Sequence, residues 1–169
     1  MKKEIKKEIL DVCCGGRMFW FNRKNPHALF VDNRTMERQL IWKGKDSRVG
    51  EEAWFEVNPD KIMDFRALDL PSNSFSLVVF DPPHIIEDND KGWMKKKYGA
   101  LRTSTWRDDI HKGFAECFRV LKPNGVLIFK WSEVYFPVSE ILKLTPIQPL
   151  FGHISGKAQK THWICFMKF

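Results

Sequence analysis

At 169 residues, with 43% hydrophobic and 29% charged side chains, the chain can bury one sizeable core, which excludes a disordered or fibrous polypeptide. No apolar run is long enough to span a bilayer and no secretory leader is apparent. The four cysteines (Cys13, Cys14, Cys117, Cys165) form no CxxC pair, so a disulfide scaffold and a zinc site are disfavoured. The reading is a reduced, cytoplasmic, single-domain protein over 1–169 without metal or membrane, whose formal net charge of +7 favours polyanionic partners.

Lys2 to Glu8 is a charged leader expected to fray. Ile9-Leu10-Asp11-Val12-Cys13 reads as a short buried strand broken by Gly15-Gly16, and Met18-Phe19-Trp20-Phe21 is expected to open a helix. Ala28-Leu29-Phe30-Val31-Asp32 is a second apolar strand that again ends in an acid. Gln39–Lys43 and Ala53–Val57 suggest two irregular strands around the polar stretch Gly44 to Gly50. Ile62 to Leu70, containing Asp69, reads as a third acid-terminated strand before the turn Pro71-Ser72-Asn73-Ser74.

Leu77 to Phe80 is the fourth strand, and it runs into Asp81-Pro82-Pro83-His84. Neither proline can donate a backbone hydrogen bond, each fixes its own φ, and the residue before a proline is driven out of the helical region. The result is a stiff, extended corner beside one carboxylate, able to accept two hydrogen bonds from a planar amino group. Residues 84–102 form a long polar loop, a length that usually carries function. Between Lys91 and Arg107 there are six basic residues and no acid, interleaved with Trp93, Tyr98 and Trp106. Lysines that hold phosphates and aromatics that stack on bases are the recurring parts of a nucleic-acid surface.

Ser104 or Thr105 is placed to cap a helix with Trp106, Ile110, Phe114, Cys117, Phe118 and Leu121 on one apolar face, ended by Lys122-Pro123-Asn124-Gly125. Val126–Trp131 is a fifth strand and Val138–Leu144 a short helix. Ile147–Ile154 and His162–Lys168 are two closing strands around Ser155-Gly156-Lys157. Strands alternating with helices imply a mostly parallel sheet with helices on both faces, and ligands bind outside the carboxyl ends of such strands. Four acids, Asp11, Asp32, Asp69 and Asp81, fall at those ends. Carboxylates sharing one crevice repel each other unless a ligand offers hydroxyls, amines or positive charge.

With these elements the chain resembles the class I S-adenosylmethionine-dependent methyltransferases along almost its whole length. Ile9-Leu10-Asp11-Val12-Cys13-Cys14-Gly15-Gly16 is similar to that family's first motif, although Cys13 and Arg17 stand where glycines are usual. The resemblance implies a Rossmann-like α/β fold with a mostly parallel seven-stranded sheet and an antiparallel closing strand. It implies S-adenosylmethionine as cofactor, held by Asp11, Cys13, Gly15, Asp32, Asn33, Asp69, Leu70 and Asp81. Asp32 would take the ribose hydroxyls; Asp69 with the Leu70 backbone would take the adenine.

Asp81-Pro82-Pro83-His84 resembles the Asp/Asn-Pro-Pro-aromatic motif of amino-methyltransferases, with histidine in place of the usual aromatic. More broadly the chain looks like the small methyltransferases of phage and mobile elements. By that likeness Asp81, Pro82 and His84 are catalytic, and the acceptor, an exocyclic amine of adenine or cytosine in DNA or RNA, lies near Pro83, His84, Trp93, Lys96, Tyr98, Arg102 and Lys157. The substrate loop is about 84–104, and no separate target-recognition domain is expected. Two alternatives remain open: a methyltransferase for a small molecule or protein nitrogen, and an inactive binding subunit of the same fold.

Overall fold

The computed structural model describes residues 6–46, 50–89 and 92–169. Its strands are β1 (Ile9–Asp11), β2 (Ala28–Asp32), β3 (Met36–Asp46), β4 (Gly50–Val57), β5 (Lys61–Ile62), β6 (Phe75–Phe80), β7 (Leu121–Ser132), β8 (Phe151–Ser155) and β9 (Thr161–Met167). Helices α1 (Trp93–Tyr98), α2 (Trp106–Val120) and α3 (Val138–Ile141) complete it, with a 3-10 turn at Leu142–Leu144. Seven strands form one sheet in the order β5-β2-β1-β6-β7-β9-β8, while β3 and β4 pair as a separate antiparallel ribbon. Every pairing from β5 to β7 is parallel, and β9 runs antiparallel between β7 and β8. The mostly parallel seven-stranded class with an antiparallel closing strand is therefore as read from the sequence.

Side chains alternate between the two sides of a strand, so each strand contributes to both faces of the sheet. One face carries Leu10, Leu29, Val31, Val78, Phe80, Leu127, Phe129 and Phe166, packed against Ile110, Phe114, Cys117 and Phe118 of α2. Its aromatic centre places Phe114 against Phe80, Phe129 and Phe166 at centroid distances of 5.5, 4.8 and 5.8 Å. Complete burial of side chains of this size contributes roughly 1.5–3 kcal/mol each. Trp106, 2% exposed, belongs to this core.

The opposite face departs from the expectation of helices on both sides. Among the described residues, the helices that pack on the sheet core do so on the α2 face. Between β1 and β2, where Met18–Phe21 was expected to begin a helix, the chain makes only turns and bends. Asn22, Asn25 and Pro26 compete with helix there, and the Asn22 and Asn25 side chains accept hydrogen bonds from Lys24 N and His27 N. Small substitutes cover this side. Trp20 packs edge-on against Phe30 at 4.8 Å, and the Arg17 guanidinium lies 3.9 Å over the same ring. Between β2 and β5, the β3–β4 ribbon stands where a crossover helix would be.

Other differences are local. Of the expected third strand only Ile62, with Lys61 before it, pairs with β2; the chain then turns at Asp64, so Asp69 and Leu70 lie beyond the strand end. Thr105 precedes α2 but makes no side-chain cap; its Oγ1 donates to Asp109 Oδ2 at 2.8 Å. The Lys122–Gly125 break lies inside β7, with Asn124 at φ 61°. Lys91 and parts of the Lys2–Glu8 leader and of the Gly44–Gly50 stretch lie outside the described residues. All four thiols are free. Among the described residues, no helix is long and apolar enough to cross a membrane, and no cluster of three or more His, Cys, Asp and Glu side chains could hold a metal ion.

Candidate active site

A cavity of about 770 Å³ opens at the carboxyl ends of β1, β2 and β6, within the size range of small-molecule and cofactor sites. The glycine turn after β1 forms one wall. Gly15 has φ +46° and its N–H donates to Asp32 Oδ2 at 2.9 Å. Arg17 has φ +52°, so the backbone keeps a glycine-type conformation at a place where the familiar pattern has glycine. The arginine side chain stabilises that choice by donating to the carbonyls of Arg23 and Asn58, both at 2.7 Å. A Cβ at Gly16 would come within 2.4 Å of the Phe55 ring, so a side chain there would displace that ring. That contact carries β4 over the turn, and Phe55 joins the cavity lining.

Asp32, at the end of β2, is 6% exposed. Besides Gly15 it meets Arg34, whose Nε lies 3.3 Å from Oδ1. The same guanidinium donates to the carbonyls of Lys96 at 2.6 Å and Lys97 at 3.0 Å. Arg34 thus satisfies the carbonyls left over at the end of α1 and ties that helix to the cavity's acid.

Asp81 follows β6 at the opposite side of the opening. Lys130, from β7, donates to Asp81 Oδ2 at 2.6 Å, and no described residue donates to Oδ1. Burial raises the Asp81 carboxyl above the ordinary range, and the Lys130 ammonium pulls it back down. The ammonium is itself 5.8 Å from the Phe19 ring and 5.6 Å from the Trp163 ring. His84 lies 6.1 Å from Tyr98, ring to ring, and burial lowers its pKa. Here a neutral imidazole is favoured, suited to stacking or to a neutral hydrogen bond.

Of the residues expected to build the site, the structure brings Cys13, Gly15, Asp32, Asn33, Asp81, Pro82, Pro83, His84, Lys96, Tyr98 and Arg102 to the cavity. Five others stay outside its lining. Asp11 is completely buried behind the turn, accepting from Trp20 Nε1 at 2.7 Å and Cys13 N at 3.3 Å. Asp69 is exposed, and the Leu70 carbonyl accepts from Arg119 at 2.8 Å. Trp93 packs edge-on behind Phe55 at 6.3 Å, and Lys157 lies in the exposed β8–β9 turn. The four-acid crevice is thus not formed: Asp32 and Asp81 face the cavity, joined by Asp109 from α2. At the β5 end the cavity is lined by Phe65 and Arg66, and Arg66 bridges Asp64 at 2.6 Å and Asp109 at 2.9 Å.

The basic loop is less free than its composition suggests. Lys95 pairs with Glu87, and Arg107 pairs with Glu140 at 3.1 Å. Lys96 is exposed, and Lys97 lies 5.0 Å over Tyr98. Sequence reasoning missed Lys130, Arg34 and Phe55. A lysine inside the apolar run Val126–Trp131, on the strand next to the Asp81 corner, was the one available signal for Lys130. Arg34 and Phe55 gave none.

No family model matches the sequence, and no curated protein matches it. Solved structures do. A Pyrococcus horikoshii protein superposes over 100% of this chain and 84% of its own, with a TM-score of 0.59 at 15% identity. A SAM-dependent methyltransferase of Methanosarcina mazei aligns over 99% of this chain and 94% of its own (TM-score 0.57, 13% identity). A SAM-dependent methyltransferase of Aquifex aeolicus covers 99% and 85% (TM-score 0.52, 14% identity). Identities this low speak to architecture, and on that ground the chain has the Rossmann-like fold of the SAM-dependent methyltransferases.

Proposed function

We propose that the chain is an S-adenosylmethionine-dependent N-methyltransferase whose acceptor is the exocyclic amine of a nucleobase, adenine or cytosine. The observation that carries this reading is the Asp81-Pro82-Pro83 corner facing, across one cavity, the Gly15–Asp32 pair. The residues fit the cofactor: Asp32 is a carboxylate at a strand end suited to ribose hydroxyls, and the turn at Gly15 lets backbone come close. Cys13 and Asn33 line the same wall. When bound, the cofactor supplies a methyl group on a positive sulfur.

The chain's own residues then hold and orient the acceptor. An exocyclic amine donates its lone pair into the ring and is a poor nucleophile. Asp81 Oδ1 and the Pro82 carbonyl accept its two hydrogens, which favours a pyramidal nitrogen with its lone pair aimed at the methyl group. Position and electrostatics do most of the work in such a displacement. The nitrogen gains the methyl and loses one proton, to Asp81 or to water. His84 and Tyr98 flank the base, Pro83 closes one side, and Lys96 of α1 with Arg102 lies over it.

The Lys130 ammonium opposes the upward pull of burial on the Asp81 carboxyl. Removing its positive charge raises the carboxyl pKa further, so the acid limb of the kcat/KM profile moves to higher pH. For Lys130→Met the expected displacement is about one unit or more, read from methylation rates between pH 5 and 9. An unmoved limb would separate Lys130 from the reaction.

The proposal itself is tested with methyl-labelled cofactor and separate DNA, RNA, protein and metabolite pools, with the product identified by mass spectrometry. Label is expected on an amino nitrogen of a base. Transfer confined to metabolites or protein would move the chain to a different acceptor class.

A further inference from the structure

We infer that the sheet face without packed helices, beside the Asp81 corner, is a track for single-stranded nucleic acid carrying the acceptor base. The inference rests on the nucleobase reading above and specifies the form in which that base arrives.

Register supplies the first ground. His153 lies opposite Trp163, Trp163 opposite Lys130, and Lys130 beside Asp81. Residues directly opposite across a sheet project to the same side. One row of side chains therefore runs from the sheet edge to the catalytic corner: His153, Trp163, Lys130, Asp81. It crosses three strand spacings, about 14 Å, the length of a few stacked nucleotides. Phe151, opposite Cys165, starts the parallel row two residues below.

Exposure supplies the second. Phe151 is 69% exposed and His153 is exposed, although both stand on a regular strand. Trp163 is half-buried and meets Phe19 edge-on at 5.4 Å. Aromatic rings presented on an open sheet surface are the recurrent platform on which unpaired bases stack, whereas a duplex hides those base faces.

Charge selects the occupant. From Ile141 to Phe169 there are four lysines and no acid, and two of them, Lys157 and Lys160, are exposed in the turn between β8 and β9. This turn lies at the same end of the sheet as Asp81, because Thr161 pairs with Ser132 at the end of β7. The nearby acid, Glu133, accepts from Val138 N at 2.7 Å and faces His162 at 3.2 Å. A two-fold contact of this patch with itself in a second copy would set these lysines near like charge; a phosphate backbone would not. Bases on Phe151, His153 and Trp163, with phosphates on Lys157 and Lys160, lead the strand to Asp81.

The test measures fluorescence anisotropy of labelled mixed-sequence 12-mers, DNA and RNA, single-stranded and duplex, at one salt concentration. The full chain is compared with the double variant Phe151→Ser, His153→Ser, whose exposed side chains are dispensable to the core; a thermal melt checks its fold. Single strands are expected to bind at least ten-fold tighter than duplex, and the variant to lose roughly ten- to a hundred-fold of that affinity. The DNA and RNA arms assign the sugar. Equal binding of duplex, or a variant that binds as well as the parent, overturns the inference. So does a dimer that the variant breaks without altering oligonucleotide affinity, which would give the face to a second copy. A chain that binds single strands through these residues but transfers no methyl sinks only the enzymatic reading. One that methylates free nucleosides but binds no strand sinks only the track.

Discussion

Asp81→Ala is expected to lower kcat/KM for methyl transfer by about a hundred- to a thousand-fold while cofactor affinity, measured by calorimetry, stays within a factor of a few. The reason is positional. Asp81 lines the same cavity as Gly15 and Asp32; in the proposed mechanism its carboxylate meets the acceptor's nitrogen, and its loss removes interactions that strengthen as that nitrogen pyramidalises. Asp81→Asn separates two parts of the role. An amide oxygen still accepts a hydrogen bond but carries no charge for Lys130, so activity within about ten-fold of the parent would mark hydrogen-bond acceptance as the larger effect. Should Asp81→Ala bind cofactor and methylate at the parent's rate, the corner is structural and the mechanism proposed here fails.

The second large effect concerns stability. Asp11 is wholly buried, and burial pushes its carboxyl up to about 7; the Trp20 hydrogen bond opposes this, while the Asp81 and Asp32 charges add to it. The folded-state value lies above the unfolded one of 3.8. Folding therefore favours the protonated acid. This contribution to stability is fully present below about pH 4 and is lost as pH rises through 7. Asp11→Asn stays neutral and keeps an oxygen for Trp20. Relative to the parent it gains across that window, by roughly 4 kcal/mol between the two limits. Urea unfolding at pH 4, 5, 6, 7 and 8 checks this. A difference between variant and parent that does not vary with pH would show that Asp11 is ionised in the folded chain.

Both predictions concern acids at strand ends, and the two were unequally legible. The position of Asp81 at the cavity was legible because its neighbours dictate its geometry: two prolines stiffen the corner whatever surrounds it. Asp11 looked equivalent, an acid ending an apolar strand before a glycine turn. Its environment depends on Trp20, nine residues away, whose indole closes over it because no helix forms between β1 and β2. Asp69 failed differently. Apolar residues continue from Ile62 to Leu70, yet only Lys61 and Ile62 find a neighbouring strand, so the chain leaves the sheet at Asp64.

What the sequence by itself determined is what short-range physics controls. The short apolar runs made strands, the three-and-four spacing from Trp106 made α2, and the prolines and glycines placed a rigid corner and an open turn on one edge. The tertiary structure alone decided which side chains meet across that edge. Lys130 reaches Asp81 over 49 positions, Arg34 reaches Lys96 over 62, and Phe55 lies on Gly16. Such meetings follow from sheet order and strand register, which depend on the simultaneous packing of the whole core rather than on any local pattern.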